Sequence, residues 1–376
     1  MSNKAMDLSG KTVVVGLSGG VDSAVSAFLL KEQGCRVIGL FMKNWEEQDE
    51  HGVCKASLEY EDVAAVCAML NIPCYSVNFV KEYWENVFTH FLEEFRNGHT
   101  PNPDILCNRE IKFKVMFDKA LEMGADYLAT GHYCRTYGET LLKGIDNIKD
   151  QSYFLYTIKS EILSKVLFPI GHLQKGDVRK IAKARGLPVA EKKDSTGICF
   201  IGERNFKQFL SHYIAAQPGN FENLAGQVVG KHDGAAYYTI GQRKGMGIGG
   251  AGEAWYVMGK DVGRNVVIID RGARHSALYC DWLTAVELSW VSHVAPPLPL
   301  HCKAKVRYRQ PDQECQIEKV EDGRAFVRFA IPQRAVTPRQ SIVFYLDDLC
   351  LGGGIIEAPG PSYHAQGLSL PAEVSL

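Results

Sequence analysis

Apolar runs alternate with apolar periodicities through the first half of this chain. Short runs at residues 12–17, 36–42, 74–79 and 127–133 have the length and composition of buried strands. Between them, residues 22–33, 55–70, 80–96 and 108–123 repeat apolar side chains three and four apart, the spacing of a helix with one buried face. This rhythm predicts an α/β fold, a doubly wound parallel sheet covered by helices, with ligands gathering beyond the carboxyl ends of its strands. The first strand centres on Val13, Val14 and Val15 and runs into the small-residue turn Ser18-Gly19-Gly20. Asp22 or Ser23 is placed to cap the next helix, which should bury Val21, Ala24, Val25, Phe28 and Leu29 and end near Gly34.

Further along, residues 136–145 read as a hairpin, and Lys149-Asp150-Gln151-Ser152 opens a short aromatic helix. A basic helix at 176–186 stops at Gly186, ahead of Pro188, and a polar loop leads to a strand over 196–202. Helical periodicity returns through 205–215, and Gln217-Pro218-Gly219 marks a boundary. Beyond it the chain is rich in strands and turns, with a glycine-dense loop over 239–250. Short strands from about 275 to 357 predict a C-terminal antiparallel β-barrel. The expected division is a catalytic α/β domain at 1–205, a small middle domain at 206–274, the barrel at 275–358 and a disordered tail at 359–376.

Composition narrows this little. The 376 residues suffice for two or three cores, and 46% hydrophobic with 23% charged residues is ordinary for a globular protein. No apolar run is long enough to span a bilayer and the first residues lack a signal-peptide pattern, so no membrane partner is expected and the cytoplasm is the expected compartment. Eleven cysteines without a Cys-x-x-Cys pair argue against a disulfide framework or a zinc ribbon, and no metal-ligand set is expected. A net charge of −1 means that any nucleic acid must be held by local patches. Two candidates are residues 175–193 and the alternating Lys303, Lys305, Arg307 and Arg309, which would share one face of a strand. A solvated strand face explains the second equally well.

The chemistry concentrates at loops. A strand, a glycine turn and a helix start present backbone N–H groups and a positive dipole end, a nest suited to phosphate. The string lacks the Gly-Lys-Ser/Thr of a Walker A loop and is not Gly-x-Gly-x-x-Gly. Cys107 follows a loop stiffened by Pro101 and Pro103 and precedes Arg109, Lys112 and Lys114. A helix start and nearby cations would favour its thiolate, but it reads equally as a small residue tucked under a first turn. Cys199, within Gly-Ile-Cys-Phe-Ile-Gly, reads from its neighbours as a buried strand residue. Asp104 could act as a general acid or base or could cap a helix, and His132 could face a nucleotide or be structural.

Ser18-Gly19-Gly20-Val21-Asp22-Ser23 resembles the loop with which the PP-loop ATP pyrophosphatases hold the leaving pyrophosphate. The whole set of motifs resembles the tRNA-specific 2-thiouridylases, the MnmA/TrmU family within that superfamily. The matching stretches are 16–23, Phe-Met-Lys-Asn-Trp at 41–45, Thr-Pro-Asn-Pro-Asp-Ile-Leu-Cys-Asn at 100–108, Ala-Thr-Gly-His-Tyr at 129–133 and Lys-Asp-Gln-Ser-Tyr-Phe-Leu at 149–155. They continue with 192–202, Gly-Gln-Arg-Lys-Gly at 241–245, Val-Arg-Tyr-Arg-Gln at 306–310 and Cys-Leu-Gly-Gly-Gly-Ile-Ile at 350–356.

The resemblance implies ATP-dependent 2-thiolation of the wobble uridine of tRNA. It implies an ATP site from Gly16, Leu17, Ser18, Gly19, Gly20, Val21, Asp22, Ser23, Met42 and Gly131, with Mg2+ accompanying the nucleotide. Cys107 matches the nucleophile and Cys199 the persulfide carrier, with Asp104 beside them. Asn102, Pro103 and Asp104 match the segment touching the target base, and Lys149, Asp150, Gln151, Arg307 and Tyr308 match further tRNA contacts. The implied partners are tRNAs for Lys, Glu and Gln and a persulfide donor, either a cysteine desulfurase or a relay protein. The alternatives are a PP-loop enzyme that adenylates a small molecule and a non-catalytic RNA-binding protein.

Overall fold

Five strands make the central sheet of the N-terminal half. β1 (Thr12–Leu17), β2 (Arg36–Lys43), β3 (Cys74–Asn78) and β4 (Tyr127–Thr130) are joined, after the hairpin β5 (Cys134–Tyr137) and β6 (Thr140–Lys143), by the short β7 (Val166–Leu167). The order is β3-β2-β1-β4-β7 and every pairing is parallel. This computed structural model describes residues 7–46, 55–194 and 206–374. The chain winds outward from β1 to β3 and then crosses back to place β4 on β1's other side. The order reverses between β1 and β4, the point beyond whose strand ends open α/β sheets receive their ligands.

Both faces of the sheet are covered. Val13, Val14 and Val15 have no exposed surface, as a parallel strand buried on two sides requires. Val13 and Val15 pack in one cluster with residues of α1 (Val21–Glu32), α2 (Lys55–Leu70) and, further along the chain, α8 (Lys175–Ala184). Val14 faces the other cluster. It contains Phe88 in the π-turn between α3 (Val80–Tyr83) and α4 (Thr89–Arg96), and Ile111 in the π-helical stretch between α5 (Pro103–Leu106) and α6 (Met116–Glu122). α1 buries Val21, Ala24 and Val25 as its periodicity predicts, whereas Phe28 and Leu29 are half-covered and Ala27 and Leu30 lie deeper.

After α7 (Ser160–Leu163) and α8 come α9 (Phe206–Ser211) and a small mixed sheet. Its strands β8 (Gly219–Glu222), β9 (Val228–His232), β10 (Trp255–Asp261) and β11 (Val266–Arg271) lie in the order β10-β11-β8-β9. β12 (Tyr279–Trp290), β13 (Leu300–Lys305), β14 (Gln313–Glu321), β15 (Arg324–Arg334), β16 (Ser341–Leu346) and β17 (Leu349–Pro359) form an antiparallel ring closed by β12–β17 pairing. The expected C-terminal barrel is therefore present. The hairpin β5–β6, which belongs in sequence to the first domain, pairs with its rim through Leu142 and Leu349.

Several expectations need correction. Residues 359–374 are not a disordered tail. Gly360 N–H donates to Trp282 C=O at 2.8 Å, Tyr363 N–H to Tyr279 C=O at 3.0 Å, and Val374 is 2% exposed beside Leu278 and Met258. The helix expected at 205–215 is described as Phe206–Ser211, and β4 ends at Thr130, short of the expected 133. The strand expected at 196–202 lies outside the described residues. Most consequentially, the cations of 303–309 do not share an open face, because β13 ends at Lys305. Lys305 is 7% exposed, within 3.5 Å of Asp150 and 3.8 Å of Asp312.

Candidate active site

The phosphate-type nest forms where β1 hands over to α1. A side chain on Gly16 would press Met116 Cε at 3.1 Å, so α6 sits hard against the end of β1. Gly19 has φ +72°, a left-handed turn position that favours glycine, and a Cβ there would lie 2.8 Å from the Glu59 carbonyl oxygen. α1 begins at Val21 with Gly20 as its N-cap and no side-chain cap, so neither Asp22 nor Ser23 caps it. Ser23 instead braces the turn: its Oγ accepts from Ser18 N–H at 3.2 Å and donates to Gly20 C=O at 3.1 Å. The first-turn N–H groups are left without a side-chain acceptor at the positive end of the helix.

Gly131 meets this loop from the end of β4. A Cβ there would lie 2.7 Å from Ser23 N and 2.9 Å from Asp22 C, so β4 meets the first turn of α1 backbone to backbone. Met42, at the end of β2, is half-buried and packs on the larger core. His132 is a structural residue. Its Nδ1 lies 2.8 Å from Thr130 Oγ1, its ring packs on Phe113 and Phe168, and burial, with Lys112 adding to it, holds its pKa well below the usual value.

A charged network lies behind the loop. Asp22 Oδ1 accepts from Tyr133 O–H and from Lys175 Nζ, both at 2.7 Å. Lys175 Nζ also lies 2.8 Å from Asp194, whose carboxylate receives Arg179 at 2.5 Å and Lys149 at 2.7 Å. Burial opposes ionisation of Asp194, but the hydrogen bonds from Lys149 and Lys175 outweigh it and hold the carboxyl far below the usual range. Burial and then the Asp22 carboxylate push the Tyr133 phenol up, which keeps it a donor. Tyr133, Lys175 and Asp194 were not foreseen as site residues. Lys175 reads in the sequence as one of many cations, and only the fold brings it 2.7 Å from Asp22.

The segment leading to Cys107 is built around a cap. Asn102 Oδ1 accepts from Asp104 N–H at 3.2 Å and Pro103 opens α5, so Asn102 is the N-cap and Asp104 sits in the first turn with a half-buried side chain. The helix therefore starts before Cys107. That cysteine lies one turn in, 1% exposed among the same buried residues as Ile105 and Ile111, rather than at a helix entrance. The π-helical stretch Cys107–Val115 leads into Met116, the residue that packs on Gly16. Cys199 lies outside the described residues.

The remaining candidates divide. Lys149 and Gln151 are half-buried, and Gln151 Oε1 accepts from Tyr133 N–H at 2.9 Å. Tyr308 packs on Phe154 at 4.4 Å between centroids, and burial pushes its phenol up to about 12. Asp150 is 3% exposed and accepts from Gly144 N–H, Ser152 N–H and Ser152 O–H. Arg307 Nη2 donates to Ile240 C=O at 2.9 Å, Ala335 C=O at 2.8 Å and Thr337 Oγ1 at 3.1 Å. Expected to touch a nucleic acid directly, Asp150 and Arg307 are engaged inside the protein: Asp150 pairs the first domain with Lys305 of the barrel, and Arg307 ties the barrel to the middle domain through Ile240.

Residues 11–203 match the family described as the tRNA methyl transferase HUP domain. Residues 207–271 match the tRNA methyl transferase PRC-barrel domain and residues 280–356 the aminomethyltransferase beta-barrel domain. The chain is 63% identical over 366 residues to the tRNA-specific 2-thiouridylase MnmA of Protochlamydia amoebophila, covering 96% of this chain and 97% of that one. The chain belongs to the tRNA-specific 2-thiouridylase family. Relatives of the same description from Geobacillus thermodenitrificans and Listeria monocytogenes are 58% and 56% identical, each covering 92% of this chain and 94% of the relative. Among the described residues no helix is long and apolar enough to cross a membrane.

Proposed function

We propose that this enzyme of the thiouridylase family transfers sulfur to C2 of the wobble uridine of tRNA at the expense of ATP. The observation that carries the reading is the meeting of an uncapped α1 start, a glycine turn and Gly131 at the β1–β4 switch point, with the Cys107 helix packed against the same strand end. A carbonyl oxygen is a poor leaving group and needs activation. Attack of uridine O2 on the α-phosphate of ATP forms an O–P bond, breaks the α–β phosphoanhydride and releases pyrophosphate toward residues 18–23. The first-turn N–H groups of α1 suit that anion, and magnesium arriving with the nucleotide would offset the phosphate charge.

A persulfide on Cys199 supplies the sulfur. Its terminal sulfur attacks C2, AMP leaves with the former O2, and Cys107 as thiolate attacks the inner sulfur. The S–S bond to the transferred sulfur breaks, leaving 2-thiouridine and a Cys107–Cys199 disulfide for reduction by an external thiol. Because Cys107 is 1% exposed, base insertion on this reading requires the chain around it to open. On this reading Asp104, one turn before Cys107, transfers the proton near the thiol. Lys149, Gln151 and Tyr308, on the same reading, contact the tRNA around the splayed anticodon base. The substrates on this reading are the tRNAs for Lys, Glu and Gln, and a cysteine desulfurase or a relay protein loads Cys199.

Mass analysis of nucleosides from tRNA incubated with the protein, ATP, magnesium and a persulfide source tests this. The expected product is 2-thiouridine at the wobble position only, dependent on ATP. Thiolation elsewhere, or none with pyrophosphate still released on a small molecule, would favour the adenylating-enzyme alternative.

A further inference from the structure

Few cations in the two basic patches remain for an RNA. Lys305 and Arg307 are engaged internally, and Lys303 lies 3.5 Å from Glu314. Along and after α8, Lys175, Arg179, Lys180, Lys183, Arg185 and Lys192 each face a carboxylate. The glycine-dense loop of the middle domain is different. Arg243 and Lys244 on it are exposed, and among the described residues neither forms an ion pair.

That loop is rigidly built. Gly241 and Gly245 turn it with φ +82° and +81°. Gly241 N–H donates to Val257 C=O at 2.8 Å and Val257 N–H to Gln242 C=O at 3.0 Å, tying it to β10. The Gln242 side chain clamps it from within, accepting from Thr239 N–H at 3.0 Å and donating to Lys244 C=O at 2.9 Å. Arg307 of the barrel holds its start through Ile240 C=O. The loop also adjoins the site: Thr239 Oγ1 lies 3.3 Å from Thr100 Oγ1, and Gln340 Nε2 donates to Thr100 C=O at 2.5 Å. Thr100 begins the run to Asn102, Pro103 and Asp104.

We propose that Arg243 and Lys244 grip the phosphodiester backbone of the tRNA beside the nucleotide being modified, and that Arg307 positions their loop without itself touching RNA. This rests on the tRNA-thiolation reading. A guanidinium and an ammonium side by side on a fixed turn can take two successive phosphates, giving affinity without base preference. With a net charge of −1, a few correctly placed cations must supply that grip.

The test is tRNA binding by the full-length protein and its R243A/K244A variant across about 50 to 200 mM salt. Loss of two phosphate contacts should lower affinity about tenfold or more at low salt and flatten the log–log salt slope by roughly 1.4–1.8. ATP affinity and the melting temperature should not change, and R243K should restore part of the slope. Wild-type binding with an unaltered variant would overturn this proposal alone. Wild-type protein that binds no tRNA would instead remove the thiolation reading and this proposal with it. A defect confined to sulfur loading, with tRNA binding intact, would assign the pair to the sulfur donor and overturn it too.

Discussion

Replacing Gly131 by alanine perturbs the site at its tightest point. The added methyl would lie 2.7 Å from Ser23 N, 2.9 Å from Asp22 C and 3.0 Å from Ser23 Cα. All three are backbone atoms of the first turn of α1, so no side chain can swing aside. Comfortable carbon contacts begin at about 3.5 Å, so β4 and α1 must separate by roughly 0.5–1 Å. Overpacking of this kind costs about 1–3 kcal/mol of stability. A displacement near 1 Å at a reacting site can cost on the order of 10²-fold in rate. The expected result is a melting temperature lower by several degrees and at least tenfold weaker ATP binding by calorimetry. Gly176→Ala is the control: it lies in α8 with nothing within 4 Å of its would-be Cβ, so it should leave ATP binding alone and stabilise by up to about 1 kcal/mol. G131A protein with wild-type ATP affinity would refute the placement of the nucleotide at the β1–β4 switch point.

The half-buried Asp194 and the buried Lys305 can be tested in the same way. The Asp194 carboxyl is held below its unfolded-state pKa, so the stability it contributes is present above the usual carboxylate pKa of about 4 and is lost as pH falls below it. Asp194→Asn should therefore destabilise the protein at neutral pH and weaken the pH dependence of denaturant unfolding in acid; an unchanged profile would argue against the network. Lys305→Glu would set a third carboxylate beside Asp150 and Asp312, and breaking a buried pair typically costs about 3–5 kcal/mol. Its expected effect is barrel destabilisation in chemical denaturation, whereas loss of tRNA affinity with full stability would return Lys305 to the RNA surface.

β1, β2 and β4 were legible because their apolar runs are largely buried, and β3 was read from its run although Tyr75 and Ser76 are exposed, whereas the two-residue β7 left no signal. The helices were legible from period alone, apart from the π-turns at Trp84–Phe88 and Cys107–Val115, where one extra residue per turn leaves no mark in composition. Gly131 was identifiable only through the resemblance, since the reason for it, contact with Ser23 and Asp22, is a long-range fact. Lys175 was not identifiable at all, because its 2.7 Å contact with Asp22 is likewise long-range. Alternating cations at 303–309 misled because a period of two says which residues share a face but not whether that face meets solvent or another domain. The segment after Pro359 has no strong periodicity, yet a few backbone bonds and apolar anchors, Leu370 and Val374 among them, are enough to seat it.

On the proposed mechanism, ATP cleavage and sulfur delivery act on the same uridine through two cysteines distant in sequence. The most direct measurement loads the protein with isotopically labelled persulfide sulfur, adds tRNA and ATP, and counts pyrophosphate released against labelled sulfur at C2 of the wobble uridine. Equal amounts are expected in wild-type protein, and no labelled nucleoside from Cys199→Ser or Cys107→Ser despite unchanged ATP binding. Labelled 2-thiouridine formed by the Cys199→Ser protein, or sulfur transfer without matching pyrophosphate, would contradict the mechanism.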